Sequence, residues 1–184
     1  QILFDGAKLT SENFTQFIEK ELIPYIDKNY RASNYRTLIG HSYGGLFTLN
    51  TFLNHTALFE NYIAIDPSLD WDNQKLLNEA KQKLRINNFE GKSLYVSIAS
   101  QSIHMHNEEI TMKNVMKDTS EQSLFTRSIL EFSEFTSKHK PKGLQFSWNH
   151  YPNDLHGTIP LPSIRDGLIF TFQWYQLTNF HKFN

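Results

Sequence analysis

A serine flanked by glycines is the feature of this sequence with the clearest chemistry. Ser42 is the centre of a Gly-x-Ser-x-Gly pattern from Gly40 to Gly44, between an apolar run and an apolar helical pattern. Where such a pattern links a strand to a helix, the serine lies on a sharp, strained turn with its hydroxyl exposed above the sheet. Glycines on either side lack the Cβ atoms that would clash there. The pattern therefore predicts Ser42 as the nucleophile of an acyl-transfer reaction.

The start of the predicted helix next to this serine offers groups that stabilise negative charge. Backbone N–H groups at a helix N-terminus point toward such a charge, and the helix dipole is positive there. We expect the N–H of Tyr43 to be one oxyanion donor, and we place His41 at the same oxyanion and substrate site. Trp71 follows the second predicted strand at the carboxyl edge of the sheet, where ligands bind, so we expect it to contact the substrate.

A serine nucleophile needs a base, and with this turn the order along the chain is serine, acid, histidine. The histidine must therefore follow the last strand. Of the eight histidines, His156 is in that place, because it lies after the predicted strand 144–150 and before the last predicted helix, with Gly157 beside it. His156 is the predicted general base.

The elements that must position these residues alternate along the chain. Apolar periodicity predicts helices over 11–30 with a kink at Pro24, 43–54, 73–86, 121–138 and 163–177, and strands over 35–39, 62–65, 93–99 and 144–150. Strands and helices that alternate at these lengths imply an α/β fold, a mostly parallel sheet with helices on both faces. No repeat or linker interrupts the pattern, so a single domain over residues 1–184 is expected.

Longer blocks around these motifs resemble a known family. The blocks follow one another in the family's order and comprise residues 21–26, 36–47, 65–71, 156–160 and 166–170. On these residues the sequence resembles the esterase family of the α/β-hydrolases, which includes enterochelin esterase-like enzymes, feruloyl esterases and S-formylglutathione hydrolase. The resemblance implies the α/β-hydrolase fold and a serine hydrolase that cleaves carboxylic esters without a cofactor. It implies Ser42 as nucleophile and His156 as base, and it does not specify the ester.

The sequence departs from the family at the acid that orients the base. In the family this acid follows the strand that corresponds here to residues 93–99, but no carboxylate follows that strand before Glu108. Glu108 is therefore the predicted acid, on a loop that must fold back. Asp154, two residues before His156, and Asp66, at the end of the second predicted strand, are the alternatives, and a serine–histidine dyad is a further one.

A second departure is the short stretch before the nucleophile strand. The fold places four strands and the loop with the second oxyanion donor upstream, whereas a single predicted helix precedes the strand here. We therefore expect residues 1–184 to be the C-terminal part of a longer hydrolase. An apolar strand left at the sheet edge is open to self-association or to pairing with the missing N-terminal segment.

Composition argues against several other classes of protein. The 18 Lys and Arg against 19 Asp and Glu give a net charge of −1, which argues against a surface for nucleic acid or anionic membrane. No apolar run approaches the about 20 residues of a transmembrane helix. The absence of cysteine excludes disulfides and a cysteine nucleophile, and it leaves the compartment open. His104, His106 and Glu108 alternate like ligands on a strand, but they lie in a polar loop, so no metal site is predicted.

These observations predict a serine esterase that acts on a small-molecule ester. An acyltransferase of the same fold would use the same residues and pass the acyl group to another alcohol. The alternative from a different class is a binding module that kept the fold and lost the acid and the oxyanion loop. Activity that is unchanged in a Ser42→Ala variant would identify that module.

Overall fold

The structure is a computed structural model, and it describes residues 10–100 and 110–179 of the chain. Two compact units divide the chain, residues 1–36 and residues 37–184. In the first unit, three consecutive helical segments are α1 (Ser11–Phe17), a π-helical turn (Ile18–Leu22) and α2 (Ile23–Asn29). The sequence predicts one kinked helix here. Because Pro24 has no N–H for the carbonyl four residues earlier, the wider π turn lies just before it.

The second unit is a four-stranded parallel sheet with its connecting helices. The elements are β1 (Thr37–His41), α3 (Tyr43–Asn54), β2 (Asn61–Ile65), α4 (Trp71–Ile86), β3 (Ser93–Ala99), α5 (Leu124–His139), β4 (Gln145–Tyr151) and α6 (Pro160–Asn179). The strands follow the order β1-β2-β3-β4, and all three pairings are parallel. The predicted parallel α/β architecture is confirmed. Among the described helices, none is both long and apolar enough to cross a membrane.

Helices cover both faces of the sheet, as the register of the strands shows. Gly40 and Ala64 are paired, and an atom added to Gly40 would point into α3. Ile63 and Tyr95 are also paired, and both contact Gly167 of α6 on the opposite face. Every residue of the two inner strands β2 and β3 is buried, because strands covered on both faces have no solvent side.

The boundaries of several elements differ from the predicted ones. β1 begins two residues later than predicted and continues to His41, because its pairing with β2 extends to Ile65. The helix predicted over 73–86 begins at Trp71, but φ is positive at the next three residues, 72–74, before the regular part follows. The last helix begins at Pro160, a position where proline is favoured because its missing N–H is not needed.

The close approach of β1 and α3 requires a glycine at one defined position. A Cβ on Gly40 would lie 2.0 Å from the carbonyl oxygen of Gly44 and 2.4 Å from Thr48 Oγ1. A Cβ on Gly44 would meet no described atom within 4 Å outside its own helix, so the prediction that Gly44 avoids a clash is wrong. Gly45 has that role instead, since its Cβ would lie 3.0 Å from Pro67.

We expect Gly40→Ala to destabilise the fold and Gly44→Ala to leave it nearly unchanged. Overpacking costs about 1–3 kcal/mol of the free energy of unfolding, and the nearest atom at Gly40 is backbone, which cannot rotate away. Alanine at position 44 gains helix propensity. Denaturant unfolding followed by circular dichroism compares the two variants. An unfolding midpoint for Gly40→Ala equal to that of the unchanged protein would contradict the assigned contact.

Candidate active site

Ser42 occupies the turn between β1 and α3 in strained backbone geometry. Its φ is 58° and its ψ is −118°, outside the regions that non-glycine residues ordinarily adopt. Backbone hydrogen bonds hold the turn: the Ser42 N–H donates to the Ile65 carbonyl over 3.0 Å, and the Ser42 carbonyl accepts from the N–H of Ser68 over 3.2 Å. Strain of this kind persists where the surroundings impose it, and it is frequent at active sites.

An exposed pair of aromatic rings lies beside this turn. α3 begins at Tyr43, so the N–H of Tyr43 belongs to the first turn, whose N–H groups have no acceptor within the helix. The Tyr43 side chain is 61% exposed and meets Trp71, 57% exposed, edge to face at 5.3 Å between ring centroids. The N–H of Trp71 donates to the carbonyl of Ser68 over 3.2 Å. The segment that carries Trp71 is thus hydrogen-bonded, through Ser68, to the turn that carries Ser42.

His156, on the loop between β4 and α6, is held by a buried carboxylate. Its Nδ1 donates to Asp66 Oδ2 over 2.6 Å, and the Asp66 side chain is fully buried. The other carboxylate oxygen, Oδ1, accepts the N–H of Ala99 over 3.1 Å, and the N–H of Asp66 donates to the Ser97 carbonyl over 2.9 Å. Each oxygen of the carboxylate therefore has a donor, as a buried charged group requires.

Of the two candidate acids that the structure describes, one is hydrogen-bonded to His156. That acid is Asp66, which the sequence offers only as an alternative. Asp154 lies on the same loop as His156, but its carboxylate accepts the hydroxyl of Thr158 over 2.8 Å. Glu108, the first choice from the sequence, lies outside the described residues.

The pKa values of the two histidines of the site are shifted in opposite directions. The hydrogen bond that His156 donates to Asp66 raises the pKa of His156 above its ordinary value and outweighs burial, which lowers it. Burial, and then the neighbouring His156, lower the pKa of His41. The two ring centroids are 4.4 Å apart with planes tilted by 41°. His41, expected at the oxyanion and substrate site, therefore packs against the ring of His156, the predicted base.

A comparison with protein families identifies the family of this chain. Residues 5–148 match the sequence model of the family described as "Putative esterase". The chain belongs to this esterase family. It has the α/β-hydrolase fold, in agreement with the resemblance of its sequence blocks.

Curated relatives of this esterase-family chain include enzymes named for siderophores. The ferri-bacillibactin esterase BesA of Bacillus subtilis is 28% identical over 136 residues, which are 70% of this chain and 45% of BesA. The siderophore triacetylfusarinine C esterase of Aspergillus fumigatus is 32% identical over 96 residues, 50% of this chain and 33% of the relative. The chain thus spans less than half of each of these relatives.

Solved structures give the same fold. The IroE-like serine hydrolase from Shewanella oneidensis superposes with a TM-score of 0.72 at 28% identity, over 86% of this chain and 46% of that one. The BES protein from Bacillus cereus superposes with a TM-score of 0.69 at 25% identity, over 93% and 60%.

Two further residues of the esterase-family site are not evident from the sequence. Ser68 is buried, and its Oγ lies 3.5 Å from Ser42 Oγ. Its signal is its place just after β2, at the carboxyl edge where ligands bind. Phe125, at the start of α5, meets the His156 ring edge to face at 5.7 Å. Nothing in the local pattern around Phe125 indicates this contact.

A tyrosine pair anchors the loop that carries His156. The hydroxyls of Tyr95 and Tyr151 are hydrogen-bonded at 2.7 Å, and the Tyr151 hydroxyl donates to Asp166 Oδ2, also over 2.7 Å. Burial is the main cause that raises the pKa of both tyrosines, so both hydroxyls stay protonated. Because Tyr151 ends β4 and Asp166 belongs to α6, these bonds hold the two sides of the His156 loop together.

In residues 10–100 and 110–179, no group of three His, Cys, Asp or Glu side chains is placed to hold a metal ion. His104, His106 and Glu108, which have ligand-like spacing in the sequence, lie outside these ranges.

We expect Asp66→Asn to lower the pKa of His156, and Asp154→Asn to leave it nearly unchanged. Asparagine removes the charged acceptor that raises this pKa, so the lowering caused by burial is no longer outweighed. Titration of the imidazole protons by NMR measures the pKa in each variant. A larger shift of the His156 pKa in Asp154→Asn than in Asp66→Asn would show that Asp66 is not the acid that acts on His156.

Proposed function

We propose that this chain carries the catalytic serine, histidine and acid of an enzyme that hydrolyses carboxylic esters. The observation that supports the proposal most is the buried Asp66 hydrogen-bonded to His156, together with the strained Ser42 at the start of a helix, whose N–H donates to Ile65, the residue before Asp66. Membership in the esterase family adds support. Because the chain spans less than half of BesA, the activity of the whole protein stands as a proposal.

In the proposed reaction, Ser42 Oγ attacks the ester carbonyl as its proton passes to His156 Nε2. The tetrahedral intermediate collapses, the C–O bond to the leaving alcohol breaks, and His156 returns the proton to that alcohol. Water then attacks the acyl-enzyme with His156 again as base, which releases the acid and restores Ser42. Asp66 orients the imidazole and stabilises its charged form.

The negative charge on the carbonyl oxygen needs donors that are already in place. The N–H of Tyr43, in the first turn of α3, is the proposed donor from this chain. The second donor, which this fold places on a loop upstream of the nucleophile strand, stays a prediction of the sequence. Removal of one such donor costs about 2.7–4 kcal/mol of transition-state stabilisation, so both are expected in the active protein.

The proposed substrates are ester-linked siderophores, the compounds for which the relatives are named. Within this class, the exposed rings of Tyr43 and Trp71 favour an ester with an aromatic acyl group. A planar ring can stack on this pair and bring its carbonyl to Ser42. The exposed rings of Tyr43 and Trp71, next to Ser42, otherwise have no evident role in folding.

We expect a fluorophosphonate probe to label Ser42 in the full-length protein and Ser42→Ala to abolish the labelling. The matched control is Ser68→Ala, which removes the hydroxyl 3.5 Å away and keeps the nucleophile. Mass spectrometry of the labelled peptide identifies the modified serine. Folded full-length protein in which Ser42 stays unlabelled would support the silent binding module instead, and a product analysis with an added alcohol acceptor separates hydrolase from acyltransferase.

Trp71→Ala is expected to raise KM for an aromatic ester, p-nitrophenyl benzoate, more than for p-nitrophenyl acetate. Loss of one aromatic contact is worth about 0.5–1.5 kcal/mol, which is about a 2- to 10-fold change in KM. Ile86→Ala serves as control, since it truncates another exposed apolar side chain of α4, 80% exposed and at the far end of the helix. Equal changes in KM for both esters would exclude the aromatic acyl site.

A further inference from the structure

His41 reaches the base because of its position in β1. Successive side chains of a strand point to opposite faces of the sheet, and the neighbouring position, Gly40, faces α3. His41 therefore faces the other side, where α6 and the loop of His156 lie. It is paired with Ile65, the residue before Asp66, so its ring lies next to both members of the Asp66–His156 pair.

His41 meets His156 in two ways, through the face of its ring and through a hydrogen bond to the His156 backbone, which is one of the causes that raise the pKa of His41. Nε2 of His41 is buried and has no hydrogen-bond partner among the described residues. A buried nitrogen without a partner costs free energy, so hydrogen bonding through this atom does not explain the residue. The imidazole therefore supplies the flat face packed against the His156 ring, with centroids 4.4 Å apart, together with the hydrogen bond to the His156 backbone.

The two imidazoles together carry at most one positive charge near neutral pH. Burial and the neighbouring His156 lower the pKa of His41, while Asp66 raises that of His156. The proton that enters the site therefore goes to His156. Asp66 is the charged group that faces the rings from β2, and α5 contributes the uncharged Phe125.

We propose that His41 is a positioning residue. Its uncharged ring packs against the His156 ring and holds it with Nδ1 toward Asp66 and Nε2 toward Ser42. This inference rests on the proposed ester hydrolysis for its consequence in rate. An uncharged ring restrains the imidazole in both of its protonation states without opposing the positive charge that forms in each turnover. A tilted ring would lose the alignment for proton transfer, because misplacement by about 1 Å can cost about 100-fold in rate.

Two variants of the full-length protein test the role of the ring. We expect His41→Ala to lower kcat for p-nitrophenyl acetate by about 10- to 100-fold with little change in KM. His41→Phe keeps a flat ring, places carbon where Nε2 has no partner and loses the hydrogen bond to the His156 backbone, so we expect it to restore part of kcat and to leave the acid limb of the pH profile in place. Thermal unfolding followed by circular dichroism checks that both variants fold.

Three outcomes of these assays would overturn the inference. They are a His41→Ala variant with unchanged kcat, a His41→Phe variant as slow as His41→Ala, and a shifted acid limb in His41→Phe. The first two leave the proposed function intact provided that the fluorophosphonate still labels Ser42 in the unchanged protein. Failure of that labelling would instead overturn the proposed function.

A measurement on the unchanged protein tests the uncharged state of His41 even if the variants do not fold. In ¹⁵N-edited NMR spectra we expect the His41 ring to keep the signature of a neutral imidazole over the whole pH range in which His156 titrates. Protonation of His41 together with His156, or before it, would contradict the proposal that the His41 ring stays uncharged.

Discussion

The hydrogen bond between the buried carboxylate of Asp66 and His156 is the interaction on which the rest of this site depends. A fully buried carboxylate is costly unless each oxygen has a donor, and here one donor is His156 Nδ1 and the other is the N–H of Ala99. These donors come from the loop after β4 and from the end of β3. These two hydrogen bonds to Asp66 therefore join three chain segments that are far apart in the sequence.

Two strained residues flank this arrangement at the carboxyl edge of the sheet. Ser42 and Asp66 both have positive φ, at 58° and 43°, and each follows the last residue of a strand. Such geometry costs about 1–3 kcal/mol at each residue, which the surrounding structure must offset. The inner strands β2 and β3, buried along their whole length, and the tyrosine anchor below the His156 loop supply the rigidity that does so. The buried inner strands thus stabilise the fold, while the backbone strain lies at Ser42 and Asp66 in the site.

The sequence predicts the parallel sheet, its helices and the place of Ser42 and His156, because periodicity and chain order carry those signals. It does not predict Asp66 over Glu108, since which carboxylate meets His156 depends on strand register and on how far a loop reaches. The role of Phe125 is equally non-local. The sequence also does not predict that β1 ends at His41, because Gly40 and His41 are in the strand through pairing with β2 and not through their own propensity.

The central claim, that Asp66 acts through His156, is tested most directly by a double-mutant cycle on kcat with Asp66→Asn, His156→Ala and the combined variant. Residues that act as one unit have strongly non-additive effects on rate. The predicted result is that Asp66→Asn lowers kcat strongly in the unchanged protein and has almost no effect once His156 is alanine. Equal losses of kcat in both backgrounds would show that Asp66 acts independently of His156 and would contradict the account.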